Sequence, residues 1–184
     1  EEQAVQYHAV SIKEFCSNKL HYMEELSETL ERQIPKQKQE DAKYLTIRGR
    51  RHIEDKFRNM LKETKERVYL SVSASVLDLF REELLGLVAQ KKKVVLLTDE
   101  EYSMDGAIIY RTKKFENLSG SADCEGDADG QLRLITDSNY ALTGELQETS
   151  TCLYSANPNL VRLLKDALAN EIRLIEIEKK DASI

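Results

Sequence analysis

The sequence predicts an α/β protein: a mixed sheet flanked by helices, preceded by an N-terminal coiled-coil-like helix. Three observations carry this expectation. From Lys43 to Asp99, short runs rich in β-branched and apolar residues alternate with amphipathic helical stretches. Beyond Asp99 come four strand-like runs and one last helical stretch. Ahead of both, residues 11–34 keep a helical apolar spacing that stops at Pro35 and the polar "KQKQED". The expected division is a helix and linker over 1–42 and an α/β domain over 43–184.

Composition sets the outer bounds. A chain of 184 residues is long enough for one core and an appendage. No apolar run approaches the ~18–20 residues needed to span a bilayer, so no membrane association is expected. The net charge of -6 disfavours a broad nucleic-acid surface within these residues, because phosphate contacts need clustered Lys and Arg. Cys16, Cys124 and Cys152 are scattered and odd in number, which suits neither a disulfide framework nor a zinc knuckle. A cytoplasmic location is expected, since the chain opens on Glu1 with no charged and apolar leader. The missing Met leads us to expect a further module upstream.

In the first element, Cys16, Leu20, Met23, Ser27, Leu30 and Ile34 follow alternating steps of four and three, as in a coiled-coil seam. Ser11 with Glu14 reads as a capping box that starts the helix. Leu20, Met23, Leu30 and Ile34 are the candidate dimerisation residues. The same stripe would also suit a helix lying on its own domain.

"KYLTI" reads as a strand ended by Gly49, and the next helix places Ile53, Phe57, Met60 and Leu61 on one face. "RVYLSVS" is a strand, and "SASVLDLFREELLGLVAQ" reads as one helix with Leu77, Phe80, Leu84, Leu87 and Val88 inward. "KVVLLTD" has the continuous apolar run of a strand buried on both faces. "AIIYRT", "QLRLITD", "YALTGEL" and "TCLYSA" are the four later strands. Asn157 before Pro158 marks the start of the final helix.

Familiar catalytic patterns are missing. "IRGRRH" has a single Gly where a phosphate loop needs several, so it reads as a turn into a helix. Ser71, Ser73 and Ser75 lack the glycines of a nucleophile elbow. In "DCEGDADG" the acids fall at alternate places from Glu125, but the twelfth place is Thr136, where a calcium loop needs a bidentate Glu. His8, His21 and His52 form no i, i+4 pair, and neither metal nor cofactor is expected.

The stretch "LRLITDSNYALTG" resembles the core of the phospholipase D superfamily, whose signature is His-x-Lys-x4-Asp followed by a turn and an apolar-Gly run. With Asp137 matched to the acid, the Lys place is Leu132 and the His place is Gly130. The resemblance therefore implies a frame of that fold without its nucleophile and phosphate-binding cation. Together with "YHAVSIKEF", "IRGRRHIEDKFRNMLKETKERVYLSVSASVLDLFREEL" and "KKKVVLLTD", it is similar to the regulatory portion of TrmB-family transcriptional regulators. That likeness implies a homodimer, a non-catalytic domain that senses a small-molecule effector such as a sugar, and DNA contact through an N-terminal winged helix outside this chain. Sugar-sensing members carry a further C-terminal sheet module, whereas only a short tail follows the last helix here. The candidate ligand-binding residues, all near strand ends, are Ser71, Ser73, Asp99, Arg111, Asp137 and Asn139. Each also has a structural role open to it, as helix cap, turn former or exposed strand residue. The competing functions are a phosphodiesterase or nuclease of the phospholipase D superfamily that uses His52 or another His from outside the expected strand, and a scaffold that only pairs subunits.

Overall fold

The computed structural model describes residues 10–33, 44–112, 131–147 and 149–181. The chain divides into two compact units, Glu1–Asp41 and Ala42–Ile184.

The first unit contains helix α1, Ile12–Gln33. Ser11 starts it as expected: its Oγ accepts the Glu14 N–H at 3.2 Å and its carbonyl accepts the Phe15 N–H. None of its residues is buried, and Ile12, Phe15, Leu20, Met23, Leu26 and Leu30 all present apolar surface. Ile34, the last expected seam residue, lies outside the described residues.

The second unit is built on a seven-stranded sheet in the order β1-β7-β6-β5-β2-β3-β4. The strands are β1 (Tyr44–Arg48), β2 (Arg67–Ser71), β3 (Lys93–Thr98), β4 (Ile108–Arg111), β5 (Gln131–Thr136), β6 (Tyr140–Glu145) and β7 (Thr151–Ser155). Pairing of β2 with β3 and of β3 with β4 is parallel, and the other four pairings are antiparallel. The expected alternation of strand and helix is present, but β1 does not pair with β2. It lies at the far edge against β7, with three strands between.

Helices cover both faces. On one side α2 (Arg50–Glu63), α3 (Ala74–Leu79) and α4 (Arg81–Ala89) pack on Val68, Leu70, Val94, Leu96, Leu132, Leu134 and Leu142. The buried residues of α2 are Ile53, Phe57, Met60 and Leu61, the face that the 3.6-residue period requires. On the other side α5 (Pro158–Asp181) packs Val161, Leu164, Leu168 and Ile172 against Val95, Leu97, Ile135 and Ala141. Asn157 caps α5 through Oδ1, which accepts the Asn159 and Leu160 N–H groups at 2.9 and 3.3 Å.

One expected helix is two. The backbone leaves helical geometry at Phe80 (φ −118°, ψ 17°), between α3 and α4. Local hydrogen bonding survives, since Phe80 N–H reaches the Leu77 carbonyl and Leu84 N–H reaches the Phe80 carbonyl. The Phe80 ring is fully buried and stacks on Phe57 with centroids 4.0 Å apart. Tertiary packing of one aromatic side chain thus overrides a continuous helical pattern.

Candidate functional site

The hairpin of β5 and β6 organises the site. Asp137 and Ser138, the two central residues of its turn, both have positive φ (52° and 58°), and the Asn139 N–H reaches the Thr136 carbonyl at 3.0 Å. This is the handedness that matches the twist of paired strands. From that turn the Asp137 carboxylate faces the start of β2. Its Oδ2 accepts the Lys65 N–H at 2.8 Å, and Oδ1 accepts those of Glu66 and Arg67 at 2.8 and 3.0 Å. Burial by itself would raise the Asp137 pKa, but these three N–H groups, with Lys92 nearby, hold it below the usual carboxylate range. Asp137 is therefore an ionised clip joining residues about 70 positions apart in sequence.

At the other end of β5 the arrangement differs. Leu132, at the place of the signature Lys, is 1% exposed and packs in the core with Leu134 on the α2–α4 side. The signature His place, Gly130, lies outside the described residues. Leu132 is in register with Gly144. A Cβ on Gly144 would stand 2.5 Å from the Thr151 carbonyl oxygen and 2.8 Å from Cys152 Cα and Sγ, and its φ of 152° further favours glycine. The glycine lets β6 and β7 approach closely beside the core.

The α5 side of the same end carries charge. Arg133 donates from Nη1 to Glu171 Oε1 at 2.7 Å and from Nη2 to Glu171 Oε2 at 3.2 Å, a bidentate pair between β5 and α5. Nη2 also donates to Ser71 Oγ at 3.2 Å, and the buried Arg133 Nε has no hydrogen-bond partner among the described residues. Gln131, Leu132, Arg133, Thr143, Gly144 and Glu145 line a cavity of about 220 Å³ at this end of the hairpin.

The six candidate ligand residues do not converge on one place. Ser71 and Ser73 lie at the carboxyl end of β2, and Asp99 and Arg111 at the carboxyl ends of β3 and β4. Because β5 runs antiparallel to β2, Asp137 and Asn139 lie at the opposite end of the sheet. Ser73 occupies the α3 N-cap position, yet its Oγ pairs with Ser75 Oγ at 3.0 Å and makes no cap bond. The Thr98 hydroxyl reaches Asp99 Oδ1 at 3.4 Å, and Arg111 is an exposed residue in register with Thr98.

Sequence reasoning passed over Arg133 and Glu171. The signal for the first was present, since Arg interrupts the apolar run of "QLRLIT" and must find a partner when its strand is central. Nothing in the sequence pairs it with a residue 38 positions later.

No protein-family description and no curated protein matches the chain. Comparison with solved structures shows that its fold is that of the phospholipase D proteins. Nuc from Salmonella typhimurium, a phospholipase D family member, matches with a TM-score of 0.51 at 10% identity, over 71% of this chain and 95% of its own. NucT from Helicobacter pylori matches with a TM-score of 0.57 at 9% identity, over 71% and 96%. TrmBL2, an archaeal chromatin protein that binds DNA, matches with a TM-score of 0.56 at 15% identity and covers 86% of this chain. The chain spans 62% of the length of TrmBL2. Ala42–Ile184 makes up less than four-fifths of the chain, so the TrmBL2 match extends into the segment before Ala42. Among the described residues no helix is long and apolar enough to cross a membrane.

Proposed function

We propose that this chain is the dimerising and effector-sensing part of a TrmB-like transcription regulator, that it performs no phosphodiester chemistry, and that a winged helix outside it reads DNA. The observation that carries this reading is Leu132: where phospholipase D chemistry uses a phosphate-binding cation, the side chain is hydrocarbon packed into the core. The extension of the TrmBL2 match beyond the α/β unit supports it, because Nuc and NucT match a smaller share of the chain. DNA is the partner assigned to the full-length protein, by likeness to TrmBL2 and by the need for cationic surface that a net charge of -6 does not supply. The stripe Leu20, Met23, Leu30 and Ile34 pairs two copies, and a polar small molecule, a sugar being one candidate, seats at the end of the sheet holding Ser71, Ser73, Asp99 and Arg111. An effector that prefers one arrangement of the dimer shifts the spacing of the two DNA-reading modules by its differential affinity.

The test uses the full-length protein. Its affinity for operator DNA, followed by fluorescence anisotropy, should change when the effector of the regulated genes is added; an unchanged affinity across those effectors overturns sensing. Turnover of bis(p-nitrophenyl) phosphate that disappears in His52→Ala would overturn the non-catalytic reading in favour of a phosphodiesterase.

A further inference from the structure

The excess of acid in this chain is unevenly spread. Residues 44–98 carry twelve Lys and Arg against seven Asp and Glu, and the remainder fifteen against twenty-six. The fold gathers several of those cations where the connections from α2 to β2 and from α4 to β3 meet. Lys93 N–H donates to the Glu66 carbonyl at 2.9 Å, Lys93 is in register with Arg67, and Lys92 Nζ donates to the Thr64 carbonyl. This junction lies at the end of the sheet opposite Ser71, Ser73, Asp99 and Arg111.

Lys62, Lys65, Lys91 and Lys93 are exposed around it, and their ammonium groups have no hydrogen bond or ion pair among the described residues. The neighbouring acids are engaged elsewhere. Asp137 is held by three N–H groups and Glu66 pairs with Arg67 at 3.0 Å. Glu63 lies towards Tyr154, whose phenol pKa is raised by burial first and by Tyr140 and Glu63 after it. Asp105, next to the Gly106 that packs on Val88, pairs with none of the four lysines. A lysine in the last turn of a helix, as Lys62 is in α2, also complements the helix dipole. That role does not account for Lys65 and Lys93, which lie beyond the helix ends, nor for the backbone of Lys91. Lys91 holds φ at 59° as its N–H meets the Val88 carbonyl, a turn that Gly closes without strain.

We infer that this lysine rim contacts the phosphate backbone of duplex DNA, a sequence-independent contact that rests on, and adds to, the DNA partnership proposed above. Lysine presents a compact charge without the fork that reads base edges, which suits phosphate. No large apolar side chain is exposed among the four lysines, as insertion into a lipid surface would require. The net charge of -6 does not cancel the rim, because at about 0.1 M salt charges more than ~10 Å apart are largely screened and the local balance governs. Four lysines are too few to hold DNA alone at physiological salt, so the rim supplements a separate DNA-reading module.

Fluorescence anisotropy of the whole chain with a labelled mixed-sequence duplex of about 20 base pairs, at about 50 mM salt, tests the inference. Binding should be measurable there and should weaken with salt at a log–log slope of about −3 to −4, close to 0.9 for each phosphate contacted. Lys62→Gln with Lys65→Gln and Lys93→Gln should weaken binding by roughly tenfold or more, equally on A·T-rich and G·C-rich duplexes, and flatten the slope by about 2.7. Lys91→Gly separates binding from folding: relief of the left-handed backbone should raise Tm while DNA affinity falls roughly threefold. A parent chain that does not bind, or lysine variants that bind as tightly as the parent, overturn the inference. Capture of the parent by phosphatidylserine vesicles without DNA binding also overturns it, in favour of a membrane. The regulator reading fails separately, through an operator affinity of the full-length protein that ignores effectors, and that outcome leaves the result for the rim standing.

Discussion

The two ends of β5 have opposite characters. At its carboxyl end Asp137 engages three backbone N–H groups at the start of β2, and every contact serves the frame. At its amino end, where the superfamily resemblance places reactive side chains, Leu132 is core and Gly144 is a packing necessity. An acid that holds a turn against a neighbouring strand is required by the fold whether or not catalysis occurs. A Lys and a His at the other end are required only by chemistry. The contrast shows that an acid at such a turn can serve the fold alone.

The largest effect expected from breaking this contrast comes from restoring the cation. Leu132→Lys places an ammonium among Leu134, Leu142 and the α2–α4 core, and should cost about 4 kcal/mol or unfold the domain. A Leu132→Lys protein with unchanged urea-unfolding stability would mean that position 132 faces solvent, as a phosphate site must. Gly144→Ala should cost roughly 3 kcal/mol, because backbone of β7 stands in the way of the methyl group. Asp137→Ala leaves three N–H groups without their acceptor and should cost about 2 kcal/mol in the same unfolding experiment.

Acid provides a gentler version of that last change. The folded pKa of Asp137 is depressed, so its contribution is fully present above the ordinary carboxylate value near 3.8. It is lost as pH falls from there through the lower folded pKa. The stability of the Asp137→Ala protein should therefore fall less steeply below pH 4 than that of the parent. The smallest effect should be a gain. Ser138 holds φ near 58° and its buried Oγ has no hydrogen-bond partner among the described residues, so Ser138→Gly should stabilise the turn by about 0.5–1 kcal/mol, seen as a rise in Tm.

Much of the frame is legible in the sequence because its causes are local. The α2 face, the doubly buried β3, the Ser11 start of α1 and the Asn157 cap of α5 follow from periodicity and from the few side chains that can satisfy a helix end. Strand order is not legible in this way. Nothing near "KYLTI" says that it pairs with "TCLYS" about a hundred residues later, and the neighbouring "RVYLS" is an equally good local partner. The candidate site suffers most. Ser71 and Asp137 both lie at strand ends, but antiparallel pairing of β2 with β5 separates them by the length of a strand. The same pairing puts Ser71 beside Arg133, which no spacing rule connects.

By itself the sequence determined which segments are helix and which are strand, and where most of them stop. Those properties depend on side-chain chemistry and on backbone bonds spanning a few residues. Only the tertiary structure decided that Asp137 clips the β2 start, that Phe80 splits a helix, and that Arg133 is neutralised by Glu171 on the α5 side. The physical reason is that burial and charge compensation belong to pairs of surfaces, and folding alone brings those surfaces together.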